Sequence, residues 1–293
     1  MAVDRQTTTS AGTLRALLAG TGLVIAPGAY DALSARLAEQ AGFEAVYMTG
    51  FGASASLLGL PDIGLLSSAE MADHARRLAA AVSVPLIADA DDGYGEVLNV
   101  MRTVRGLEAA GVAAVQLEDQ VSPKRCGHMA GKRVVAAEAM VEKVRAAVEA
   151  RASDSLMIIA RTDARAVEGL DAALERARRY RDAGADVLFV EAPEDEDEVA
   201  AVAEAFPDAP LVFNALEGGL TPPMDLERLI ALGFRLVLFP LTALLAATRA
   251  VQEALATLRA NPRPAAPGAL PFEAFTDVVG LSALRRLEAR IAA

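Results

Sequence analysis

Eight short apolar runs constrain the fold of this chain more than any other feature of its sequence. None of them alternates between polar and apolar side chains, and uninterrupted apolar runs of this length are typical of strands buried on both faces of a parallel sheet. Stretches with helical periodicity separate most of them. The runs occupy residues 23–27, 45–50, 85–91, 114–119, 156–163, 187–192, 211–216 and 236–240. The sequence therefore predicts parallel strands that alternate with helices.

A smaller repeat supports this prediction: four times, a glycine separates the end of a predicted helix from the next strand. The glycines are Gly42, Gly111, Gly184 and Gly233. Glycine adopts the left-handed backbone that ends a helix without steric cost. Eight such units within about 250 residues predict a (β/α)8, or TIM, barrel. An open doubly wound sheet is the alternative, but no Gly-x-Gly-x-x-Gly follows the first strand, which weakens its dinucleotide-binding version.

Residues 261–293 follow the eighth unit. A proline-rich segment over 261–271 breaks the pattern, and the remainder has the periodicity of a helix. We therefore predict a barrel domain over 1–260, followed by a linker and an extra C-terminal helix. Because a barrel is complete without this helix, it either caps the barrel or reaches a neighbouring subunit.

Composition and charge narrow the classes of partner. The chain has 293 residues, 53% of them hydrophobic, and a formal net charge of −11. The acidic balance argues against nucleic acid and an anionic membrane surface as partners. The apolar runs are shorter than the ~20 residues that a membrane span needs. A single cysteine, Cys126, excludes an internal disulfide and indicates a reducing, cytoplasmic compartment.

Carboxylates follow two neighbouring predicted strands. Asp89 and Asp91 are two residues apart and so point to the same side of their strand, and Glu118 lies at the end of the next strand. Carboxylate oxygens without nearby His or Cys suit Mg²⁺ or Mn²⁺ rather than zinc. The alternatives are salt bridges to Arg161 or Lys124, or carboxylates that cap the following helix.

Other polar residues end the remaining strands, where the active site of a barrel lies. Arg161 offers a planar fork for a substrate carboxylate, and its alternative role is a structural ion pair with Glu191. Tyr47 ends the second strand and Asn214 the seventh. We therefore expect one polar site at this end of the barrel.

The segment PKRCGHMAGK, residues 123–132, is the most unusual stretch of the sequence, and we call it the cysteine loop. It places Cys126 beside Lys124, Arg125 and His128, and neighbouring cations lower the pKa of a thiol and favour the thiolate. A lone cysteine is more often a buried apolar residue, but this one lacks apolar neighbours. Its glycines would let the loop move as a lid. The pattern favours a chemical role.

Together these motifs resemble the isocitrate lyase/phosphoenolpyruvate mutase superfamily, over about Leu14 to Leu258. The resemblance implies a (β/α)8 barrel, Mg²⁺, and substrates that are α-keto acids or their adducts. It also implies a homodimer or homotetramer in which subunits exchange the last helix, so that residues 261–293 pack on a neighbouring subunit. The matching stretches are 47–67, 89–95, 117–120, 124–129, 160–164, 190–193 and 214–219.

The resemblance also assigns roles to residues. It implies a metal shell, held mostly through water molecules, that comprises Asp89, Asp91 and Glu118, with Asp62 contacting the metal-bound region. It implies a substrate pocket formed by Thr49, Gly50, Phe51, Gly127, Arg161, Glu191 and Asn214. It implies catalytic roles for Cys126, Tyr47, Lys124 and His128.

The cysteine loop indicates the reaction class within the superfamily. Members that cleave carbon–carbon bonds carry the pattern Lys-(Lys/Arg)-Cys-Gly-His, which this chain has at 124–128. The resemblance therefore implies an oxo-acid lyase in which Cys126 protonates an enolate-type carbanion. Tyr47 is the candidate base for the substrate hydroxyl, because Mg²⁺ and nearby cations would help it ionise.

The resemblance is closest to the 2-methylisocitrate lyase and 2,3-dimethylmalate lyase (petal-death-protein-like) branches. Ala215 and Leu216 are apolar and Phe51 would shorten the pocket, which favours a smaller dicarboxylate with an alkyl group. Two alternatives stay open. One is oxaloacetate decarboxylation or hydrolysis, or carboxyphosphonoenolpyruvate mutation, on the same scaffold. The other is a non-catalytic dicarboxylate-binding protein.

Overall fold

Eight parallel strands form the centre of the molecule in a computed structural model that describes residues 10–263 and 268–292. The strands are β1 (Val24–Ala29), β2 (Val46–Met48), β3 (Leu86–Asp89), β4 (Ala114–Glu118), β5 (Met157–Thr162), β6 (Val187–Val190), β7 (Val212–Asn214) and β8 (Leu236–Phe239). They are ordered β6-β5-β4-β3-β2-β1-β8-β7, and a parallel bridge between Leu188 and Leu211 joins the two ends. The predicted (β/α)8 barrel is confirmed, and each strand lies within or across its predicted apolar run.

Helices cover the outside of the sheet. Within the described ranges they are α1 (Ser10–Ala19), α2 (Ala32–Gln40), α3 (Gly50–Leu58), α4 (Ser68–Ala81), α5 (Val97–Ala109), α6 (Ala137–Ala150), α7 (Arg165–Glu168), α8 (Leu170–Asp182), α9 (Glu196–Ala205), α10 (Leu226–Leu232), α11 (Thr242–Ala260), α12 (Phe272–Val278) and α13 (Leu281–Ala292). None of these helices is both long and apolar enough to cross a membrane.

Local signals in the sequence set the helix ends. Ser67 and Glu70 form a capping box at the start of α4, in which each side chain accepts the backbone N–H of the other residue. The repeated glycines end the helices as predicted, with φ angles of 91° at Gly42, 93° at Gly111, 105° at Gly184 and 94° at Gly233. Each of these helices therefore ends at a glycine, the residue that adopts the left-handed backbone with the least steric strain.

The core has apolar layers inside and outside the barrel. Inside, Ile87 and Phe189 are buried among side chains from most of the strands. Leu14 and Leu18 of α1 belong to this same cluster and pack against the beginnings of the strands. Helix α1 therefore closes the amino-terminal end of the barrel, and the opposite end remains for the polar residues.

The C-terminal segment is helical as predicted, and Gly280, with a φ angle of 82°, divides it into two helices. No residue of α11, α12 or α13 is buried. Val278 at the end of α12 accepts a hydrogen bond of 3.0 Å from Gln40 of α2. Part of the predicted linker (264–267) and the first nine residues of the predicted barrel domain lie outside the described residues.

Candidate active site

The carboxyl-terminal ends of the strands surround one pocket. Most of the predicted site residues line it, and Gly50, Asp91 and Glu191 lie directly behind its wall. The lining comprises Tyr47, Thr49, Phe51, Asp62, Asp89, Glu118, Lys124, Arg125, Cys126, Gly127, His128, Arg161, Phe189, Asn214, Leu216, Leu238, Pro240 and Leu241. The structure therefore brings together residues from strands and loops that are far apart in the sequence.

Asp89 at the end of β3 is held by backbone donors. The N–H groups of Gly50 and Asp91 each donate to its carboxylate at 3.2 Å. A Cβ atom at residue 50 would lie 2.7 Å from Asp89 Oδ2, closer than real Cβ contacts allow. Gly50 is therefore needed for the close approach of α3 to this carboxylate.

Lys124 of the cysteine loop lies between two carboxylates. Its Nζ is 2.6 Å from Asp62 Oδ2 and 2.7 Å from Asp91 Oδ1, and all three side chains are buried. Burial, together with the neighbouring Asp89 and Asp62, raises the pKa of Asp91 to about 7, although Lys124 opposes the shift. The salt bridge to Lys124, considered above as an alternative to metal binding, is present.

Glu118 has the oxygen chemistry that a cation requires. Its Oε2 is 3.3 Å from Arg161 Nε, and its Oε1 is buried without a hydrogen-bond partner. Across residues 10–263 and 268–292, no three His, Cys, Asp or Glu side chains are arranged to ligate one metal ion directly. Buried carboxylates with an unpaired oxygen fit a hydrated Mg²⁺, which commonly keeps several of its water ligands.

Arg161 lies at the centre of a cluster of buried charged side chains. Its Nε and Nη2 donate to the two carboxylate oxygens of Asp163 at 2.9 and 3.0 Å, and its Nη1 is 3.1 Å from Glu191 Oε2. The guanidinium carbon lies 5.1 Å from the centre of the Phe189 ring. The ion pair with Glu191, considered above as an alternative to substrate binding, is therefore present, and Arg161 also lines the pocket. This pairing fixes the position of the guanidinium.

His128 connects the cysteine loop to the segments that follow β6 and β7. Its Nδ1 accepts the backbone N–H of Leu220 at 2.9 Å, and its Nε2 is 2.7 Å from Glu191 Oε1. This pattern assigns the proton to Nε2, which donates to the carboxylate. Burial raises the pKa of Glu191, but Arg161 and His128 outweigh it and lower that pKa. Glu191 is therefore an anion that orients the guanidinium of Arg161 and the ring of His128.

Cys126 faces this pocket as a thiol rather than a thiolate. Burial raises its pKa, with Asp62 and Glu191 adding to the shift. The backbone N–H of His128 and the charge of Arg161 oppose the shift without reversing it. The expectation that neighbouring cations favour the thiolate is therefore wrong, because the flanking Lys124 and Arg125 already bind other acceptors. A protonated thiol can donate a proton to a carbanion.

The phenol of Tyr47, a residue of β2, is buried. Burial and the charge of Asp89 raise the pKa of its phenol well above the ordinary value, and Arg161 and Lys124 compensate only in part. Gln116 Nε2 donates to Tyr47 Oη at 3.1 Å. The phenol therefore keeps its proton in this structure and presents a hydrogen-bond donor to the pocket.

Sequence reasoning assigned no role to three polar or charged residues that the structure places at the site. Gln116 is completely buried inside the barrel, where it contacts Tyr47 and Asp89. Lys132 and Asp163 form a buried ion pair of 2.8 Å behind the cysteine loop. Asp163 directly follows β5, so its strand-end position was a usable signal. Gln116, by contrast, lies within an apolar run and carries no distinguishing pattern.

The barrel brings a paired arginine, several buried carboxylates and one thiol together at a single pocket, which is the arrangement of an enzyme active site. A family model described as phosphoenolpyruvate phosphomutase matches residues 14–259. The chain belongs to the phosphoenolpyruvate mutase/isocitrate lyase superfamily. The family expected from its motifs is therefore confirmed.

Individual relatives agree with this assignment. The chain is 46% identical to 2,3-dimethylmalate lyase of Eubacterium barkeri, over 95% of this chain and 97% of that protein. It is 45% identical to 2-methylisocitrate lyase of Bacillus subtilis (strain 168), over 83% of this chain and 79% of that protein. Both relatives are lyases.

One solved structure with this fold contains a bound dicarboxylate and a metal ion. The crystal structure of phosphonopyruvate hydrolase in complex with oxalate and Mg²⁺ superposes with a TM-score of 0.87. It is 33% identical and covers 98% of this chain and 100% of that one. The similarity therefore extends over the whole barrel, including the end that carries the pocket.

Proposed function

We propose that this protein is a Mg²⁺-dependent lyase that cleaves a carbon–carbon bond in a 2-hydroxydicarboxylate of the 2,3-dimethylmalate type. The products are pyruvate, or a related α-keto acid, and a second carboxylate. The observation that carries the proposal is that Cys126 lines the same pocket as Arg161. Burial also raises the pKa of its thiol, which favours the protonated form. The similarity to 2,3-dimethylmalate lyase over nearly the full length of both chains supports the same reaction.

The chemistry of the pocket wall supports a substrate with alkyl groups. The pocket lining includes the apolar residues Phe51, Leu216, Leu238, Pro240 and Leu241. A third carboxylate, as in 2-methylisocitrate, would have to leave water for these side chains, which is costly without a partner. Methyl groups would lose no such hydration. A dimethyl-substituted malate therefore fits this wall better than a tricarboxylate does.

The reaction is a retro-aldol-type cleavage. The substrate hydroxyl loses its proton to water, the electron pair of the O–H bond forms the keto group, and the adjacent carbon–carbon bond breaks. The electron pair of that bond passes to the α-carbon of the departing carboxylate. Cys126 Sγ donates its proton to this carbon, which leaves a thiolate that regains a proton before the next turnover.

Each neighbouring residue has a role in this scheme. Arg161 binds a substrate carboxylate, and Glu191 keeps the guanidinium and the ring of His128 oriented. Thr49 and Tyr47 bind the part of the substrate that becomes the keto acid, with the phenol as a hydrogen-bond donor. Lys124 carries the charge that balances Asp62 and Asp91.

The residues that would hold the metal are Asp89, Asp91 and Glu118, with Asp62 beside them. When bound, Mg²⁺ supplies positive charge for the oxygens of the keto acid. The unpaired Glu118 Oε1 and the oxalate and Mg²⁺ in the phosphonopyruvate hydrolase structure support this assignment. We expect Mn²⁺ to substitute, because it prefers the same oxygen ligands.

The test is an assay for pyruvate with Mg²⁺ and three substrates: 2,3-dimethylmalate, 2-methylisocitrate and oxaloacetate. NMR identifies the second product. We expect propionate with pyruvate from dimethylmalate as the most efficient reaction. Succinate with pyruvate from 2-methylisocitrate alone would overturn the substrate but not the reaction class. Pyruvate and carbon dioxide from oxaloacetate alone would overturn both, and tight binding without any turnover would indicate a binding protein.

We also infer that the chain functions as a homodimer or homotetramer that exchanges the C-terminal helices in the cytoplasm. Helix α11 exposes Leu245, Val251, Leu255 and Leu258 in the single chain, and such a surface normally finds a partner. Light scattering on the purified protein gives the mass directly. A monomer that keeps full activity would overturn this inference.

A further inference from the structure

The cysteine loop is held closed by a small number of side-chain contacts. Lys124 and His128 provide two of them, as described above. Gln120 provides a third by bonding the backbone of Arg125 in both directions, at 2.8 and 3.0 Å. Lys132, at the end of the loop, provides a fourth. Gln120 and Lys132 have no role in the proposed chemistry, and of these two side chains Lys132 carries a charge.

Lys132 is a buried cation that reaches from one end of the loop to its middle. Its side chain is 3% exposed, and its Nζ donates to the backbone carbonyl of Gly127 and to Asp163 Oδ1. Burial of an ammonium group is expensive unless anions and acceptors pair with it. The position is therefore stable only while the loop lies against the barrel.

Asp163 connects this contact to the substrate-binding arginine. It binds Arg161 through both oxygens and Lys132 through one of them. Among the residues that the structure describes, Arg161 is the other cation within salt-bridge distance of Asp163. Closure of the loop brings the second positive charge, Lys132, to this carboxylate. Electrostatics therefore favours the closed loop over the open one.

The contact between Lys132 and Gly127 holds the backbone next to Cys126. Gly127 lies between Cys126 and His128, and a Cβ atom there would be 2.2 Å from Arg161 Nη2. The loop backbone thus rests directly on the guanidinium. Lys132 binds the carbonyl oxygen of this same residue, so its ammonium holds the backbone that carries the thiol.

We propose that Lys132 is a positioning residue that latches the cysteine loop over the pocket and thereby fixes the position of Cys126. The loop part of this proposal is independent of the substrate. Its consequence for turnover rests on the proposed function.

The first test uses the fact that Cys126 is the only cysteine in the sequence. Its alkylation by iodoacetamide, measured against pH, gives the thiol pKa and the intrinsic rate of the thiolate separately. We expect Lys132→Met to raise the thiolate rate about tenfold, because a charge-assisted contact that holds the loop closed is lost. Lys132→Arg keeps the charge and should stay close to wild type.

The matched control is Arg133→Met, since Arg133 is the next cation along the chain and is exposed. We expect its alkylation rate to equal that of the wild type. Hydrogen exchange of the Leu220 amide, which donates to His128, should accelerate in Lys132→Met and in neither of the other variants. Unchanged thermal unfolding would show that the barrel is intact.

Steady-state kinetics test the latch and the proposed reaction separately. On the best substrate, Lys132→Met should lose about 10- to 100-fold in kcat with a smaller change in KM, because a misplaced acid slows chemistry more than binding. Equal alkylation rates in Lys132→Met and wild type would overturn the latch, whatever the turnover. Faster alkylation with no turnover by the wild type on any substrate would leave the latch standing and refute the proposed function.

Discussion

The two ends of the barrel place their charges differently. At the carboxyl-terminal end, Arg161 and Glu191 are buried within the structure and are paired with each other. At the amino-terminal end, Leu14 of α1 fills the interior, and the charges lie at the rim. There Asp186 pairs with Arg15, whose side chain is 40% exposed.

This difference separates stability from function. Buried charges cost desolvation energy, and apolar residues of similar volume are often at least as stabilising. The proposed function gives the charges at the carboxyl-terminal end roles in substrate binding and proton transfer. The opposite end follows the ordinary rule of an apolar interior and a charged rim. We expect substitutions at the first end to change catalysis and those at the second to change stability.

The largest expected effect is on catalysis, from Cys126→Ser. A serine hydroxyl has a similar size but is a much weaker acid, so the carbanion loses its proton donor. We expect kcat to fall about 10³-fold on the best substrate, within the usual contribution of a general acid. The unfolding temperature should stay at the wild-type value. If kcat for carbon–carbon cleavage is unchanged, Cys126 is not the acid.

Leu14→Ala should have the largest effect on stability. Leu14 is completely buried where α1 closes the barrel, and its truncation leaves a cavity. We expect a loss of about 3 kcal/mol in the free energy of unfolding. At a temperature where the variant is folded, kcat should equal that of the wild type. A changed kcat with unchanged stability would break the separation of the two ends. Chemical denaturation and initial rates provide both measurements.

The sequence predicts the barrel better than it predicts the site. Continuous apolar runs and glycines such as Gly42 act through local backbone preference and burial, so each can be read from a short window. The pairing of Lys132 with Asp163 spans 31 residues and depends on how the loop folds back. The sequence shows that the two residues exist, but only the packed structure shows that they meet.

The titration of Cys126 illustrates the same limit. The adjacent Lys124 and Arg125 suggest a lowered thiol pKa, and the structure gives a raised one. Lys124 is occupied by Asp62 and Asp91, and the main-chain carbonyl of Ala130 accepts a hydrogen bond from Arg125. Burial then dominates. A neighbour in the sequence is therefore a weaker guide to electrostatics than a neighbour in space.

The raised pKa of Cys126 predicts an alkaline limit of activity. Proton donation requires the protonated thiol, and a raised pKa keeps that form populated to higher pH. Activity should persist above the usual thiol range of about 8.5 and then fall about tenfold for each further pH unit. The pH dependence of alkylation by iodoacetamide measures the same pKa without substrate. An alkylation pKa below that of a free thiol would contradict this prediction.

The smallest expected effect comes from Arg15→Met at the amino-terminal rim. Asp186 would lose its bond of 2.8 Å to Arg15 but keep Arg151 at 2.7 Å and the backbone N–H of Ile158 at 2.8 Å. Half-exposed ion pairs contribute little, so we expect a loss of less than about 1 kcal/mol by chemical denaturation and no change in kcat. Asp186→Asn, which weakens all three contacts, should cost more. A larger loss from Arg15→Met than from Asp186→Asn would show that the rim pairs do not act through this shared carboxylate.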